Sequence, residues 1–498
     1  MNYETIIGLE VHAQLRTKSK MFCRCNTDYT DDPPNTHVCP VCLGMPGVLP
    51  TINQQAVEYT IMTALALGCT ISEYTKFDRK NYPYPDLMKG YQISQYDAPI
   101  GHGGWLTIEA NGGKKRIGIT RVHLEEDVAK LVHRTSPAGE SYSLVDVNRA
   151  GVPLMEVVGE PDLRSAEEAR QYLVKLRSIL RYLGVSTGNM EEGSFRCDAN
   201  ISIRPENSRD SLAKVEVKNM NSFKAVYQAL EFEAKRQRKV VAEGKRLTQE
   251  TRGWVEEKGK TVSQRSKEYA HDYRYFPEPD LPPLMISRDW VEEIRAQLPE
   301  LPEARRDRFM VEYALSLYDA NLLTSSRDMA DYLEDFVKAG EPGSLSQPER
   351  AKLGSNLLLG EVSRIMNANN IDIVDFRERV SPEQLARLLA LTSEGAVSTA
   401  TSKSVLEEMF NTRKDADEII AQRGLSQISD AKEIEEVTSQ VIQANPKAVA
   451  DYKAGKEQAL KFLVGQVMRA TRGRANPTLV NELLTEKLAE VLSGRERG

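Results

Sequence analysis

Ser194-Phe195-Arg196-Cys197-Asp198-Ala199-Asn200-Ile201-Ser202-Ile203-Arg204 alternates polar and apolar residues without a fault. Successive side chains of a strand point to opposite faces, so this is the pattern of a half-buried strand. Its apolar side, with Phe195, Cys197, Ala199, Ile201 and Ile203, belongs to a core. Its polar side carries Asp198 between Arg196 and Arg204, and Glu191 and Glu192 stand just ahead of it. A sheet surface holding guanidiniums and carboxylates at fixed spacing can grip phosphates and metal ions.

The alternation returns at Leu9 to Arg16, whose polar side presents Glu10, His12, Gln14 and Arg16. Glu and His two residues apart on one strand face lie close enough to share a divalent ion. Asp146 with Asn148 repeats the pattern, as do Lys214, Glu216 and Lys218, and Glu125-Glu126-Asp127 closes a strand-like run from Ile117. Antiparallel sheets often leave one face wet. Solvation alone gives no reason to repeat Glu, His, Asp and Arg in strand after strand, so the reading is a carboxylate-lined metal and phosphate site.

Helices are interleaved with these strands. Ser165 and Glu168 have capping-box spacing, and Ala169, Tyr172, Leu173, Leu176, Leu180 and Leu183 keep helical periodicity up to Gly184. A second helix is predicted over Phe223 to Lys239. Strands and helices in irregular order favour an α+β domain with a mostly antiparallel sheet over a βαβ repeat. The Pro-rich passage Phe276 to Pro283 ends this region, and Pro299 and Pro302 mark a linker. Beyond Glu303 strand patterns nearly vanish, while Ser381-Pro382-Glu383-Gln384 and Asn476-Pro477 are helix starts. The expected domains are a sheet domain over 1–296, a helical domain over 297–410 and a helical tail over 411–498, with the second break near 410–425.

At 498 residues the chain exceeds one ordinary core. With 40% hydrophobic and 28% charged residues the composition is that of a soluble globular protein, and no apolar run reaches the length of a membrane span. Met1-Asn2-Tyr3-Glu4 lacks signal-peptide character. A cytoplasmic protein with no membrane partner is expected. A formal charge of −6 confines any nucleic-acid surface to a local patch. The best candidate is Lys447 to Arg474, where seven Lys or Arg face Asp451 and Glu457, a net of +5.

Cys23-x-Cys25 and Cys39-Pro-Val-Cys42 put two thiol pairs in one short loop. Four soft ligands at this spacing fit a tetrahedral, structural Zn²⁺ site. Cys69 and Cys197 read as core. Gly253 to Thr261 has five residues between its glycines and no buried strand before it, so it is no P-loop. Two stiff, ring-rich segments, Arg79 to Asp86 and Asp272 to Asp280, remain as candidate functional loops.

Together Tyr3-Glu4-Thr5 with Ile7 to His12, Arg79 to Asp86 followed by Gly90 to Tyr96, His123 to Asp127, Asp146 to Arg149, Met190 to Pro205 and Asp272 to Pro283 resemble the GatB family of the tRNA-dependent aspartyl/glutamyl amidotransferases. Phe462 to Met468 with Ala475-Asn476-Pro477 is similar to that family's tail, so the resemblance runs essentially end to end. It implies a glutamine-synthetase-like "cradle" domain, a helical domain and a tail that touches tRNA. It implies that ATP phosphorylates the side-chain carboxylate of Glu mischarged on tRNA(Gln), or of Asp on tRNA(Asn), and that ammonia then displaces phosphate.

On this resemblance Mg²⁺ falls to Glu10, His12, Glu125, Glu126 and Asp198, with the choice between Glu125 and Glu126 as direct ligand left open. ATP falls to Lys80, Tyr82, Glu191, Glu192, Ser194, Arg196 and Arg204; Lys80, Glu125, Glu126, Arg196 and Asp198 carry the catalysis. Zn²⁺ falls to Cys23, Cys25, Cys39 and Cys42. Pro83 and Met88 depart from the family's usual aromatic and proline. The chain has no Gly-Gly-Ser-Ser amidase run and no Cys at position 2, so ammonia must come from a glutaminase partner, the family's A protein. A small C protein, the tRNA and the mischarging synthetase are the further partners implied. Whether Glu-tRNA, Asp-tRNA or both are substrates is open. The chemistry is self-consistent: phosphoryl transfer needs positioning and charge neutralisation rather than a protein nucleophile.

Overall fold

The alternating strands pair side by side in a computed structural model that describes residues 2–493 apart from 111, 207, 209, 267–269, 341–344, 426–430, 457, 472–474 and 476. The chain divides into two compact units, Met1–Pro302 and Glu303–Gly498.

In the first unit the strands are, in chain order, β1 (Tyr3–Gln14), β2 (Thr70–Ile71), β3 (Tyr74–Thr75), β4 (Asp78–Asn81), β5 (Tyr91–Ser94), β6 (Gly101–Ala110), β7 (Gly113–Glu126) and β8 (Lys130–Thr135). There follow β9 (Ser141–Asp146), β10 (Pro153–Gly159), β11 (Phe195–Pro205), β12 (Val215–Lys218), β13 (Glu250–Val255), β14 (Lys260–Ser266), β15 (Phe276–Pro277) and β16 (Leu284–Met285). Nine of them form one sheet in the order β14-β13-β12-β11-β1-β10-β7-β6-β2, with β1 at its centre. Every neighbouring pair in it is antiparallel except β12 with β13. The fold is thus α+β with a mostly antiparallel sheet.

Helices α1 (Gln54–Ala66), α2 (Ala166–Tyr182) and α3 (Phe223–Ala242) pack against the sheet's apolar face. Ile7, Leu9, Val11 and Ala13 of β1 and Phe195, Cys197, Ala199, Ile201 and Ile203 of β11 are all buried there. Each large side chain so buried contributes roughly 1.5–3 kcal/mol, and this is what fixes the opposite face as the open one. Ser165 caps α2 by accepting from Glu168 N at 3.1 Å. Glu168 completes the start of α2 by accepting from Arg164 N, one residue ahead of the predicted capping-box partner, and from Lys115. The end of α3 lies three residues beyond the predicted Lys239.

Two local readings change. The stretch Val145 to Asn148 does not join the large sheet: among the described residues β9 pairs only with β8 in a separate hairpin, and Asp146 at its end and Asn148 in the turn beyond accept from Asn35 N and His37 N of the cysteine loop. Gly253 to Thr261 spans the end of β13, the turn at Glu256–Lys258 and the start of β14, in keeping with the reading that it is no P-loop.

The second unit is helical among its described residues. One hydrophobic cluster runs from Phe309 to Ile420 and another from Ile434 to Leu488. Phe410, Ile419 and Ile420 pack in the former. Ser381 accepts from Gln384 N with Pro382 at the first turn, as its sequence demands.

Candidate active site

Strand register turns the alternation into rows across the open face. His12 stands opposite Glu156 of β10 and Arg196 of β11, and Glu156 stands opposite His123 of β7. The row His123–Glu156–His12–Arg196 therefore crosses four strands. One step toward the β7 end, Gln14 and Glu125 flank Leu154; one step the other way, Glu10 sits opposite Asp198 and Val158.

His12 Nε2 lies 3.6 Å from Glu156 Oε2 and 3.7 Å from Glu125 Oε1. One ligand atom from each of His12, Glu125 and Glu156 falls within 4.8 Å of the others, the separation a shared cation needs. His123 Nε2, 3.2 Å from Glu156 Oε2, and Ser94 Oγ, donating to Glu125 Oε2 at 3.2 Å, orient the two carboxylates from behind. Burial pushes the Glu156 carboxyl up, but His123, His12 and Lys80 outweigh it and hold the group well below the usual carboxylate range.

Flanking groups are prearranged. Arg196 and Gln14 both donate to Asp127 Oδ2 at 2.7 Å, and Arg149 lies 3.6 Å from the other oxygen. Burial raises the Asp127 carboxyl, while these guanidiniums and Gln14 bring it below its ordinary value. Asn200 donates to Glu10 Oε1 at 2.8 Å, and Lys218 is ion-paired with Asp198 and 3.7 Å from Glu216. Above the cluster, Lys80 of β4 sits 4.9 Å from the Tyr273 ring centroid and 5.7 Å from that of Tyr82. Tyr275 stacks on Tyr96 at 4.3 Å. Burial, and next to it the Glu125 charge, pushes the Tyr82 and Tyr275 phenols up.

The structure thus brings together Glu10, His12, Lys80, Tyr82, Glu125, Arg196 and Asp198. It sends Glu126 elsewhere, since adjacent residues of a strand point to opposite faces. Glu126 is ion-paired with Lys89, accepts from Ile93 N at 3.0 Å, and lines a separate cavity beside the cysteine loop. Arg204, eight residues along β11 from Arg196, is held by Glu4 at 2.5 Å. Ser194 spends its hydroxyl on Thr187 and Asn189, shaping the turn before β11. Glu191 and Glu192 lie exposed in that turn. Glu156 and His123 are the site residues that sequence reasoning does not single out. Glu156 is a lone acid inside the apolar run Pro153 to Val158, and that isolation is its only local signal.

The Sγ atoms of Cys23, Cys25, Cys39 and Cys42 also lie within 4.8 Å of one another. Hydrogen bonding from Cys23 pushes the Cys42 thiol down to about 5 against the effect of burial, with help from Cys39 N–H and the nearby Lys20. Burial pushes Cys25 up to about 11. His37 is paired with Asp32 at 2.5 Å and stands outside this set. In the second unit Lys447, Lys453, Lys456, Lys461 and Arg469 are exposed, Lys456 being paired with Asp451; Glu457, Arg472 and Arg474 lie outside the described residues.

An α+β unit that gathers imidazole and carboxylates on the open face of its sheet, beneath cationic and aromatic side chains, is built as the catalytic domain of an enzyme. Residues 5–292 match the GatB/GatE catalytic domain and residues 331–488 the GatB domain. The chain is 63% identical over 488 residues to a protein of Dehalococcoides mccartyi, covering 98% of this chain and 99% of that one. It is 55% identical over 489 residues to one of Carboxydothermus hydrogenoformans (98% and 99%) and 56% over 488 to one of Moorella thermoacetica (98% and 100%). All three are described as the B subunit of an aspartyl/glutamyl-tRNA(Asn/Gln) amidotransferase. The chain belongs to the GatB family. Among the described residues no helix is long and apolar enough to cross a membrane.

Proposed function

We propose that this chain carries out the ATP-dependent transamidation of mischarged Glu-tRNA(Gln), Asp-tRNA(Asn) or both, with ammonia supplied by a glutaminase partner. The observation that carries it is the convergence of His12, Glu125 and Glu156 beneath Lys80 on one sheet face. Two carboxylates and an imidazole suit a divalent cation that keeps open positions for phosphate oxygens, and Mg²⁺ is the cation proposed. When bound, it would neutralise charge on the transferring phosphoryl group.

The residues supply the rest. His12, Glu125 and Glu156 hold the cation, with His123 and Ser94 fixing the two carboxylates. Glu125 rather than Glu126 is the ligand, because only Glu125 shares the face. Lys80 and Arg196 meet phosphate oxygens, and Asp127 holds Arg196 in place. The side-chain carboxylate of the charged amino acid attacks the terminal phosphorus, ADP leaves, and ammonia displaces phosphate from the acyl phosphate to give the amide. Tyr82, Tyr273 and Tyr275, packed edge to face beside Lys80, would shield the acyl phosphate from hydrolysis.

Four converging thiols of which one titrates low fit Zn²⁺, since a divalent cation lets all four ionise. Held by four thiolates, a bound Zn²⁺ would serve to brace the loop. The exposed cations between Lys447 and Arg469 serve as a tRNA-backbone surface. The test is an assay of this chain co-expressed with its A and C partners, in the cytoplasmic extract and after purification. Amide should form on mischarged tRNA only with ATP and a nitrogen donor. Amidation of free Glu or Asp without tRNA would overturn the proposal.

A further inference from the structure

Lys20 is 1% exposed, yet among the described residues no carboxylate pairs with it. Other deeply buried charged side chains meet an opposite charge: Asp78 has Lys76, Glu233 has Arg236, Glu278 has Arg79 and Arg305 has Asp331. An ammonium taken out of water without a counter-ion is strongly disfavoured, so a buried charge marks a partner or a metal centre. Lys20 Nζ donates to His37 O at 2.8 Å and to Val147 O at 3.3 Å. Those carbonyls replace water, but they leave the charge itself unbalanced. The surroundings of Lys20 are the cysteine loop. Its backbone N–H donates to Cys25 O at 2.9 Å, and His37, whose carbonyl it holds, stands just ahead of the second thiol pair. Gly151 lets the lysine stem lie against that pair. Its φ of +84° favours glycine, and a Cβ there would meet Lys20 Cδ at 3.4 Å and Cys42 Cβ at 3.8 Å. Lys20 thus touches both arms of the loop, and its charge acts on Cys42.

We infer that Lys20 is the resident countercharge of the metal–thiolate centre, a positioning residue that governs how tightly the loop holds its cation. This rests on the zinc reading above. Four thiolates around Zn²⁺ leave two net negative charges. In a buried setting such a charge is costly unless a cation stands beside it. Lys20 supplies one, on a stem held by the same loop that carries the thiols. Burial that is unfavourable for an isolated ammonium becomes favourable once the centre is charged, so the fold and the metal stabilise one another. Through Val147 O the same ammonium is tied to the turn after β9, where Asn148 accepts from His37 N. The lysine therefore links the thiol loop to the hairpin that braces it.

The experiment uses the full-length chain and Zn²⁺ itself. Lys20→Met keeps an apolar stem and removes the charge. Lys20→Gln removes the charge but keeps a donor for the carbonyls. Chelator competition at constant pH should show zinc held about 10–100-fold more weakly in both variants. The rise in thermal midpoint on adding zinc to the metal-free chain should shrink in both. Loaded with Co²⁺ instead, both should keep the absorption of a tetrahedral thiolate site. Wild-type affinity in Lys20→Gln, with loss only in Lys20→Met, would make Lys20 a hydrogen-bonding tie and overturn the inference. So would equal affinity in all three proteins, or midpoints lowered to the same extent with and without metal. A wild-type chain that takes up no zinc when fully reduced would overturn the zinc reading, and this inference with it.

Discussion

Glu125→Gln should make the metal-free protein more stable and nearly inactive at once. Glu125 and Glu156 place carboxylate oxygens within 4.8 Å of each other in a buried setting. Two unit charges at that separation repel by about 3.5 kcal/mol at an effective dielectric near 20. His12 and His123 offset part of this, and neutralising Glu125 should gain about 1 kcal/mol of what remains. The amide keeps the acceptor for Ser94 and can donate to Glu156, so repulsion becomes a hydrogen bond. The thermal midpoint without divalent cations should rise by about 2–4 °C. Amidation should fall by about 10²–10³-fold, the cost of removing one charge-stabilising group from a transition state. Calorimetry in chelator and single-turnover amidation at saturating Mg²⁺ read the two quantities. A lower midpoint together with unchanged amidation would show that the two carboxylates neither repel nor share a cation. Glu126→Gln supplies the contrast: it leaves Lys89 without its partner and costs about 1–3 kcal/mol, while the dependence of amidation on Mg²⁺ concentration stays as in the wild type.

Asp127→Asn should cost about 3–5 kcal/mol near neutral pH by stranding Arg196. Because the native Asp127 carboxyl is depressed, its contribution is present in full above about pH 4 and is lost as pH falls through the native value. The gap in urea stability between variant and wild type should therefore close on acidification, and a gap independent of pH would contradict this. Metal analysis should find about one zinc per chain; Cys39→Ser with Cys42→Ser should remove it and lower the midpoint, and a metal-free wild type in fully reduced protein would count against the site. Reversing Lys447, Lys461 and Arg469 to Glu should weaken tRNA binding and flatten its salt dependence by about two to three in log–log slope, with KM for ATP unchanged. A salt slope equal to that of the wild type would remove this surface from tRNA contact.

Period-two alternation carries much of this architecture. From Ser194 to Arg204 and Leu9 to Arg16 it tells which side of two strands is core and which is open, and the same rule turns Glu125 and Glu126 to opposite faces. What local pattern cannot supply is pairing. Glu156 reaches His12 because β10 lies between β1 and β7, and no window around Glu156 contains that information. The reverse error has the same origin. Asp146 and Asn148 alternate like the site strands, yet they sit at the end of a hairpin and in the turn after it, where they brace the cysteine loop. Arg204 shares a face with Arg196, but eight residues of strand, about 26 Å, separate them along it. Turn residues are the least legible: Ser194 reads as a ligand and is a turn-builder, because its hydroxyl has closer partners in Thr187 and Asn189.

Forming an acyl phosphate is the step on which every assigned role depends, and isotope transfer detects it without trapping an intermediate. Glu-tRNA(Gln) and Asp-tRNA(Asn) carrying ¹⁸O in the side-chain carboxylate are amidated by the assembled complex, and the inorganic phosphate is analysed by mass spectrometry. One ¹⁸O atom should appear in phosphate for each amide formed from doubly labelled carboxylate. Phosphate free of label, with amide still formed, would mean that the carboxylate oxygen never bonds to phosphorus.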